Sequence, residues 1–332
     1  MILSLNCVQE DAPGHKWQAL FQKSWPAYRH WFLSEGLAAR KGYLTSSNML
    51  HNYMPELFPV YEKLVALAGG GDLEARYLSL YCPPPYMAGC SQLAWNQDEK
   101  FLIRNYDYSP SLFEGTMIYT QWLKPVIGIT DCSWGLLDGI NADGLAASLA
   151  FGGRNTVGVG FGIPLLIRYL LETCSSTDEA IQKLQIVPVH MSYNVTVIDA
   201  SGNYATVYLA PDKPPVVLDL PLATNQQEII DWPYYAAITA TQERNDLLKY
   251  LHERTFEHES LVINKFLEPP LYCYNYQKNF GTLYTVKYDV DKKKVQLFWP
   301  GDKNMEQSFN NYQEDNMLIH LLTGKAKKNI FK

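Results

Sequence analysis

A cysteine that follows a glycine, in Gly89-Cys90-Ser91-Gln92, opens a strand-like run, and the next such run carries Arg104-Asn105-Tyr106-Asp107-Tyr108. A thiol, a guanidinium and a carboxylate on neighbouring strands are parts of a nucleophilic site. A free thiol has a pKa near ~8.5 and needs a base to become a good nucleophile. None of the seven histidines (His15, His30, His51, His190, His252, His258, His320) lies in either run or carries a local signature. A Cys–His pair assembled in space stays open. A cysteine at a free N-terminus brings its own base, because an α-amine of pKa about 7.7–8.0 is partly neutral at working pH. Cys90 reaches that state only if the chain cuts itself after Gly89. Its thiol attacks the Gly89 carbonyl through a five-membered ring, and water cleaves the resulting thioester. Glycine suits that position because it lacks a Cβ and tolerates strained backbone.

The surrounding pattern must position these groups. Residues 1–81 read mostly as helix, with a polar break at 43–52, a helix over 54–67 that ends at Gly69-Gly70-Gly71, and a short helix from Asp72 to Leu80. Pro83-Pro84-Pro85 then holds the chain extended. Strands are expected at 90–95, 100–108, 126–131, 136–141, 145–151, 194–199 and 204–210, with turns at 96–99, 141–144 and 199–202. Helices are expected at 161–173 and from Ser176/Thr177 to Leu184, where Asp178 and Glu179 suit the first turn. A further helix spans 239–252, and a last hairpin pairs 282–289 with 294–299. Hairpins and consecutive helix pairs imply antiparallel sheets with helices on their outer faces, not a βαβ repeat.

The bulk numbers exclude several classes. The chain has 332 residues, 47% hydrophobic and 19% charged, which is ordinary globular composition. Net charge is −6, and the basic residues form no stripe for nucleic acid. The short clusters Lys292-Lys293-Lys294 and Lys325, Lys327, Lys328 read as a solvated turn and a terminus. The six cysteines show no Cys-x-x-Cys, so neither a zinc site nor a thioredoxin-like motif is expected, and they read as reduced cytosolic thiols. The opening residues lack a positive region followed by a long apolar stretch, so neither a signal peptide nor a membrane span is expected. The expected setting is cytoplasmic, with no metal, no cofactor, no membrane and no nucleic-acid partner. The oligomeric state stays open, a homo-oligomer included.

Five motifs together carry a resemblance. Gly-Cys-Ser opening a strand, then Arg-Asn-x-Asp on the next, resembles the choloylglycine hydrolase and penicillin V acylase superfamily of N-terminal-nucleophile (Ntn) hydrolases. It is more similar still to the branch of acyl-coenzyme A:6-aminopenicillanic acid acyltransferases. The hairpin Asp138-Gly139-Ile140-Asn141-Ala142-Asp143-Gly144-Leu145-Ala146, the strand Tyr193-Asn194-Val195-Thr196-Val197-Ile198-Asp199, the pair Thr224-Asn225 and the helical Arg244 follow in the family's order. They cover about residues 80–250, with a similar terminal hairpin at 281–300.

The resemblance implies an α+β fold, a four-layer αββα Ntn-hydrolase sandwich with a helical N-terminal segment. Residues 1–89 would be a pro-segment or small subunit and 90–332 the catalytic domain. It implies Gly89/Cys90 as the cut site and Cys90 as nucleophile and, through its amine, base. Asp107 would orient that amine. Arg104, expected to face the same way as Asp107 or nearly so, would hold the nucleophile or the substrate carbonyl. Asn194 would donate to the oxyanion, Arg244 would complete the polar network, and Asn225 would touch substrate or cap a loop. Leu149-Ala150-Phe151 stands where the bile-salt branch has Leu-Asn-Phe, which argues against a bile-salt pocket. Tyr81, Tyr86, Tyr106, Tyr108, Phe113 and Trp134 are candidates to line an apolar acyl pocket, although packing explains tyrosines equally well. The expected activity is hydrolysis of a small-molecule linear amide through an acyl-Cys90 intermediate. Acyl transfer to an amine, with acyl-coenzyme A as one donor, is the alternative, and a non-maturing binding module is the second.

Overall fold

The structure is a computed structural model that describes residues 1–254, 258–301 and 303–321. Lys325, Lys327 and Lys328 lie outside the described residues. Two sheets stack face to face. The nine-stranded sheet runs β10 (Lys213–Leu218), β9 (Tyr204–Ala210), β8 (Tyr193–Ile198), β7 (Ala146–Phe151), β6 (Gly135–Asn141), β5 (Val126–Asp131), β4 (Thr116–Thr120), β1 (Ile2–Glu10), β15 (Asp315–His320). The six-stranded sheet runs β11 (Leu222–Ala223), β2 (Gly89–Asn96), β3 (Lys100–Tyr108), β12 (Gly281–Asp289), β13 (Lys294–Trp299), β14 (Lys303–Ser308). Described neighbours pair antiparallel, except β1 with β4, which are parallel.

Helices close both outer faces. Helices α5 (Ile163–Thr173) and α6 (Thr177–Ile186) cover the nine-stranded sheet, while α8 (Thr241–Glu253) and α9 (Glu259–Phe266) cover the six-stranded one. The short α7 (Pro233–Ile238) leads into α8. The N-terminal helices are α1 (His15–Phe32), α2 (Tyr43–Tyr53), α3 (Phe58–Leu67) and α4 (Asp72–Leu78). The result is the expected αββα sandwich with an N-terminal helical stretch. As expected, Ser176 caps α6, its hydroxyl accepting the Glu179 N–H at 3.3 Å.

Strand alternation sorts β2 and β3 between two apolar environments. Leu93, Trp95, Phe101 and Ile103 face outward against Leu248, Leu251, Val262 and Phe266 of α8 and α9. Cys90, Ala94, Leu102 and Tyr106 face inward, toward the second sheet. Each fully buried Leu, Ile or Phe contributes about 1.5–3 kcal/mol by leaving water. Both faces of β2 are therefore covered, and Gly89 through Trp95 are all buried.

Two features of the N-terminal segment differ from the sequence reading. Residues 43–52 are no polar break but helix α2, which buries Ser46, Ser47 and Leu50 on one side. Its polar residues hid a packing face that periodicity alone does not reveal. Ile2–Glu10 is a strand inserted between β4 and β15, so the segment before Cys90 supplies an inner strand of the larger sheet.

Candidate active site

Cys90 is fully buried at the start of β2. Its neighbour across the strands is Tyr106, and Gln92 lies opposite Arg104, so all four side chains share the inward face. Arg104 Nη2 donates to Cys90 Sγ at 3.2 Å. Burial pushes the thiol up from its usual range and Arg104 opposes that, while the Asp107 charge adds to the rise.

A closed network holds Arg104. Its Nη1 donates to Asp138 on β6 of the opposite sheet, in a close contact, and to the Tyr284 hydroxyl at 3.1 Å. The Tyr284 hydroxyl donates to Asp138 Oδ2 at 2.7 Å and the Tyr288 hydroxyl to Asp138 Oδ1. The guanidinium also lies over the Tyr106 ring, 4.9 Å from its centroid. Arg104 and Asp138 are both wholly buried, where an ion pair needs such extra hydrogen bonds to offset lost hydration. Sequence reasoning gave no role to Asp138, Tyr284 or Tyr288. The signal was available, because Asp138 leads the quoted hairpin and the two tyrosines sit four apart on one face of β12.

Asp107 departs from expectation in direction. Three residues from Arg104 is an odd step along a strand, so the two side chains take opposite faces. Arg104 points between the sheets. Asp107 points toward the helical layer, where Thr282 Oγ1 donates at 2.6 Å and Arg244 Nη1 of α8 stands 3.5 Å away. Burial pushes Asp107 up to about 6, against the pull of Arg244, Thr282 and Arg104. Arg244, also buried, donates to the Cys90 carbonyl at 2.7 Å, to Ser91 Oγ at 3.0 Å and to Asn225 Oδ1 at 2.8 Å.

The amide of Asn225 spans the Gly89 position. Its Oδ1 accepts the Cys90 backbone N–H at 2.9 Å, and its Nδ2 donates to the carbonyls of Ala88 at 3.2 Å and Phe151 at 3.0 Å. The Tyr235 hydroxyl also donates to the Ala88 carbonyl, at 2.9 Å. Gly89 itself is extended strand. What glycine supplies there is room rather than strain tolerance: a Cβ would meet Phe280 Cζ at 2.9 Å and Asp107 Cβ at 3.0 Å.

Arg104, Asp107, Asn225 and Arg244 thus gather around Cys90. Asn194 stands one step away. Both its amide N–H groups go to the carbonyls of Thr224 and Gln226, at 2.8 Å each, so it clamps the loop that carries Asn225. Among the described residues no histidine bonds to Cys90. His190 is buried against the Phe161 carbonyl, and burial pushes it down to about 4. Of the expected aromatic wall, Tyr86, Tyr108 and Phe113 line a cavity, whereas Trp134 is locked in the core with its indole N–H on the Leu78 carbonyl.

The family model described as acyl-coenzyme A:6-aminopenicillanic acid acyl-transferase matches residues 95–304. This chain belongs to that family. The match takes in Arg104, Asp107, Asn194, Asn225 and Arg244 and begins just after Cys90. No curated protein matches the sequence. Among solved structures, the acyltransferase-family chain is similar to a mutant conjugated bile acid hydrolase from Clostridium perfringens. The two are 12% identical over 71% of this chain and 98% of that one, with a TM-score of 0.44. A penicillin V acylase from Agrobacterium tumefaciens is 14% identical over 67% of this chain and 86% of that one, TM-score 0.42. A Caenorhabditis elegans N-acylethanolamine-hydrolyzing acid amidase ortholog is 17% identical over 70% and 100%, TM-score 0.45. Among the described residues, no helix is long and apolar enough to cross a membrane.

Proposed function

We propose that the chain cuts itself between Gly89 and Cys90 and then hydrolyses a linear amide through an acyl-Cys90 intermediate. The observation that carries this reading is the Cys90 environment: a thiol against Arg104, with its own backbone nitrogen held by Asn225 and, among the described residues, no histidine bonded to it. In the cut, Sγ attacks the Gly89 carbonyl, a C–S bond forms, and the C–N bond breaks. The proton passes to the nitrogen, which becomes the Cys90 amine. Water then hydrolyses the thioester, leaving a Gly89 carboxylate and a free thiol.

Cutting changes what the neighbours can do. Asn225 Nδ2 and the Tyr235 hydroxyl, which hold the Ala88 carbonyl before the cut, are left facing the front of Cys90 when that residue withdraws. There they can donate to a developing oxyanion, a role worth roughly 3–4 kcal/mol for one such donor in other enzymes. Asn194 then supports them by fixing the loop. In turnover the Cys90 amine takes the thiol proton, Sγ attacks the substrate carbonyl, and the proton moves to the leaving amine. Water, activated by the same amine, releases the acid. Arg104 steadies the thiolate with a charge-assisted hydrogen bond, and Asp107 with Arg244 holds the strand start. Every step uses the chain's own groups and water.

Residues 1–89 are read as a small subunit that stays bound after cutting, because β1 sits between β4 and β15. The free cysteines fit a reducing cytoplasm. Acyl transfer is the second reading, favoured by the activity for which the matching family is named. An assay of acid and amide products with and without a primary-amine acceptor separates the two. Hydrolysis predicts the free acid as main product under both conditions. Neither product from cut wild-type protein across a panel of linear amides, or equal product from Cys90→Ala, contradicts both readings.

A further inference from the structure

A cavity of about 220 Å³ lies under α1, next to the nucleophile strand pair. Tyr106, the cross-strand neighbour of Cys90, meets two of its walls: the ring centroids of Tyr108 and Phe113 lie 5.6 and 6.5 Å away. Aromatic side chains dominate the lining, with Tyr28, Trp31 and Tyr86 completing the wall, yet Glu114 and Asp131 also face it. That combination is unexpected for an apolar acyl pocket.

The two carboxyls are handled unlike the others nearby. Asp107, Asp138 and Glu172 each face an arginine (Arg244, Arg104 and Arg168). Among the described residues Glu114 and Asp131 have no ion-pair partner. They share one hydroxyl, Tyr28, which contacts Glu114 closely and Asp131 Oδ1 at 3.2 Å while accepting the Cys132 N–H at 3.0 Å. Glu114 has further donors, the Ser133 N–H at 2.7 Å and Thr130 Oγ1 at 2.8 Å. Asp131 has much less support. Lys23 lines an adjoining cavity that shares Glu114, but it is exposed and forms no ion pair among the described residues. Leaving two close carboxyls without an ion-pair partner is costly, and burial with repulsion from Glu114 pushes Asp131 up to about 7 against the pull of Tyr28, the Cys132 N–H and the more distant Arg104. A bound cation would relieve that cost, and aromatic faces attract cations.

We propose that this cavity receives an ammonium group of the substrate, so that the amide presented to Cys90 is one that carries a positive charge. Asp131 supplies the counter-charge, Glu114 supports it through Tyr28, and Trp31 and Tyr108 supply ring faces. The proposal rests on the hydrolase reading for the bond that is cut, but binding tests it without turnover.

The test uses the full-length Cys90→Ala chain, which keeps the uncut arrangement, and two isosteric probes. These are the anilide of 4-aminobutyric acid, positively charged, and the anilide of pentanoic acid, neutral. Dissociation constants are measured by ligand-observed nuclear magnetic resonance at pH 8. The charged anilide is expected to bind at least about tenfold tighter. Adding Asp131→Asn, or Trp31→Leu if the first variant misfolds, should bring the two probes within about threefold by weakening the charged one alone. Equal or tighter binding of the neutral anilide overturns the proposal, as does an unchanged preference in both variants. If the charged probe binds as expected but wild-type protein cuts no amide, the cavity assignment stands and the hydrolase reading fails. If wild-type protein cuts the neutral anilide and the two bind alike, the reverse holds.

Discussion

Two carboxylates that reach the inside of the same sandwich meet opposite fates. Asp138 on β6 is wholly buried and saturated by Arg104, Tyr284 and Tyr288. Asp131, at the end of the adjacent strand β5, lines a cavity and has no cation within ion-pair distance among the described residues. The first arrangement is closed on itself and aims one product outward, a guanidinium nitrogen at Cys90 Sγ. The second is left open. On the proposed reading, the difference separates parts that hold Cys90 from parts able to receive a ligand.

The largest test of that contrast removes Asp138. Asp138→Ala leaves Arg104 buried without its counter-charge, a loss of about 3–5 kcal/mol for broken buried pairs. Denaturant unfolding should show that loss, and any folded protein should stay uncut. An unfolding midpoint within error of wild type would show that the closed network carries no load.

Packing gives the next test. Gly89→Ala places a methyl against Phe280 and Asp107 with no slack, and self-cutting should slow by roughly tenfold to a hundredfold, or about 1.4–2.7 kcal/mol of barrier. Ala27→Val adds carbon at the rim of the open cavity and should leave the cutting rate within about twofold. Time courses on denaturing gels read both. Equal slowing would erase the distinction between tight and open regions.

Much of the fold is legible in the sequence. Alternation and turn residues located the strands around Cys90, and the capped helix at Ser176 followed from side-chain chemistry. Strand β1 was not legible, because the partners of Ile2–Glu10 lie more than a hundred residues away in sequence. The site divides in the same way. Arg104 and Asp107 stand out by type, but their opposite facing follows from pairing register. Asp138, Tyr284 and Tyr288 act through contacts between two sheets, which local sequence does not display. Asn225, which the sequence offered equally as a substrate contact or a loop cap, accepts the Cys90 backbone N–H at 2.9 Å.

Titration separates the two regions more gently. Asp107, pushed up to about 6 by burial, is protonated in the folded chain at pH 5 and ionised at pH 7. Its ionised form holds Arg244 on the Cys90 carbonyl, so the cutting rate should rise through pH 6. Asp107→Asn should remove that limb of the pH–rate profile. A wild-type profile flat between pH 5 and 7 would contradict this role.

Asp131 gives the smallest effect, and one of opposite sign to Asp138. Its folded pKa of about 7 lies above an unfolded value near ~3.9, so the folded chain binds the extra proton. That stabilising contribution is full below pH 4 and is lost as pH rises through 7. Asp131→Asn should therefore leave stability at pH 8 unchanged or higher and flatten its pH dependence. A melting-temperature series from pH 5 to 8 reads the difference. A clear loss of stability at pH 8 would mean that Asp131 is a structural group like Asp138.

The most direct measurement is the intact mass of purified protein under denaturing conditions. Self-cutting predicts two species, residues 1–89 and 90–332, from wild type and one full-length species from Cys90→Ala. A wild-type chain that remains a single species after prolonged incubation, or a Cys90→Ala chain cut at the same bond, would contradict an N-terminal cysteine as the nucleophile.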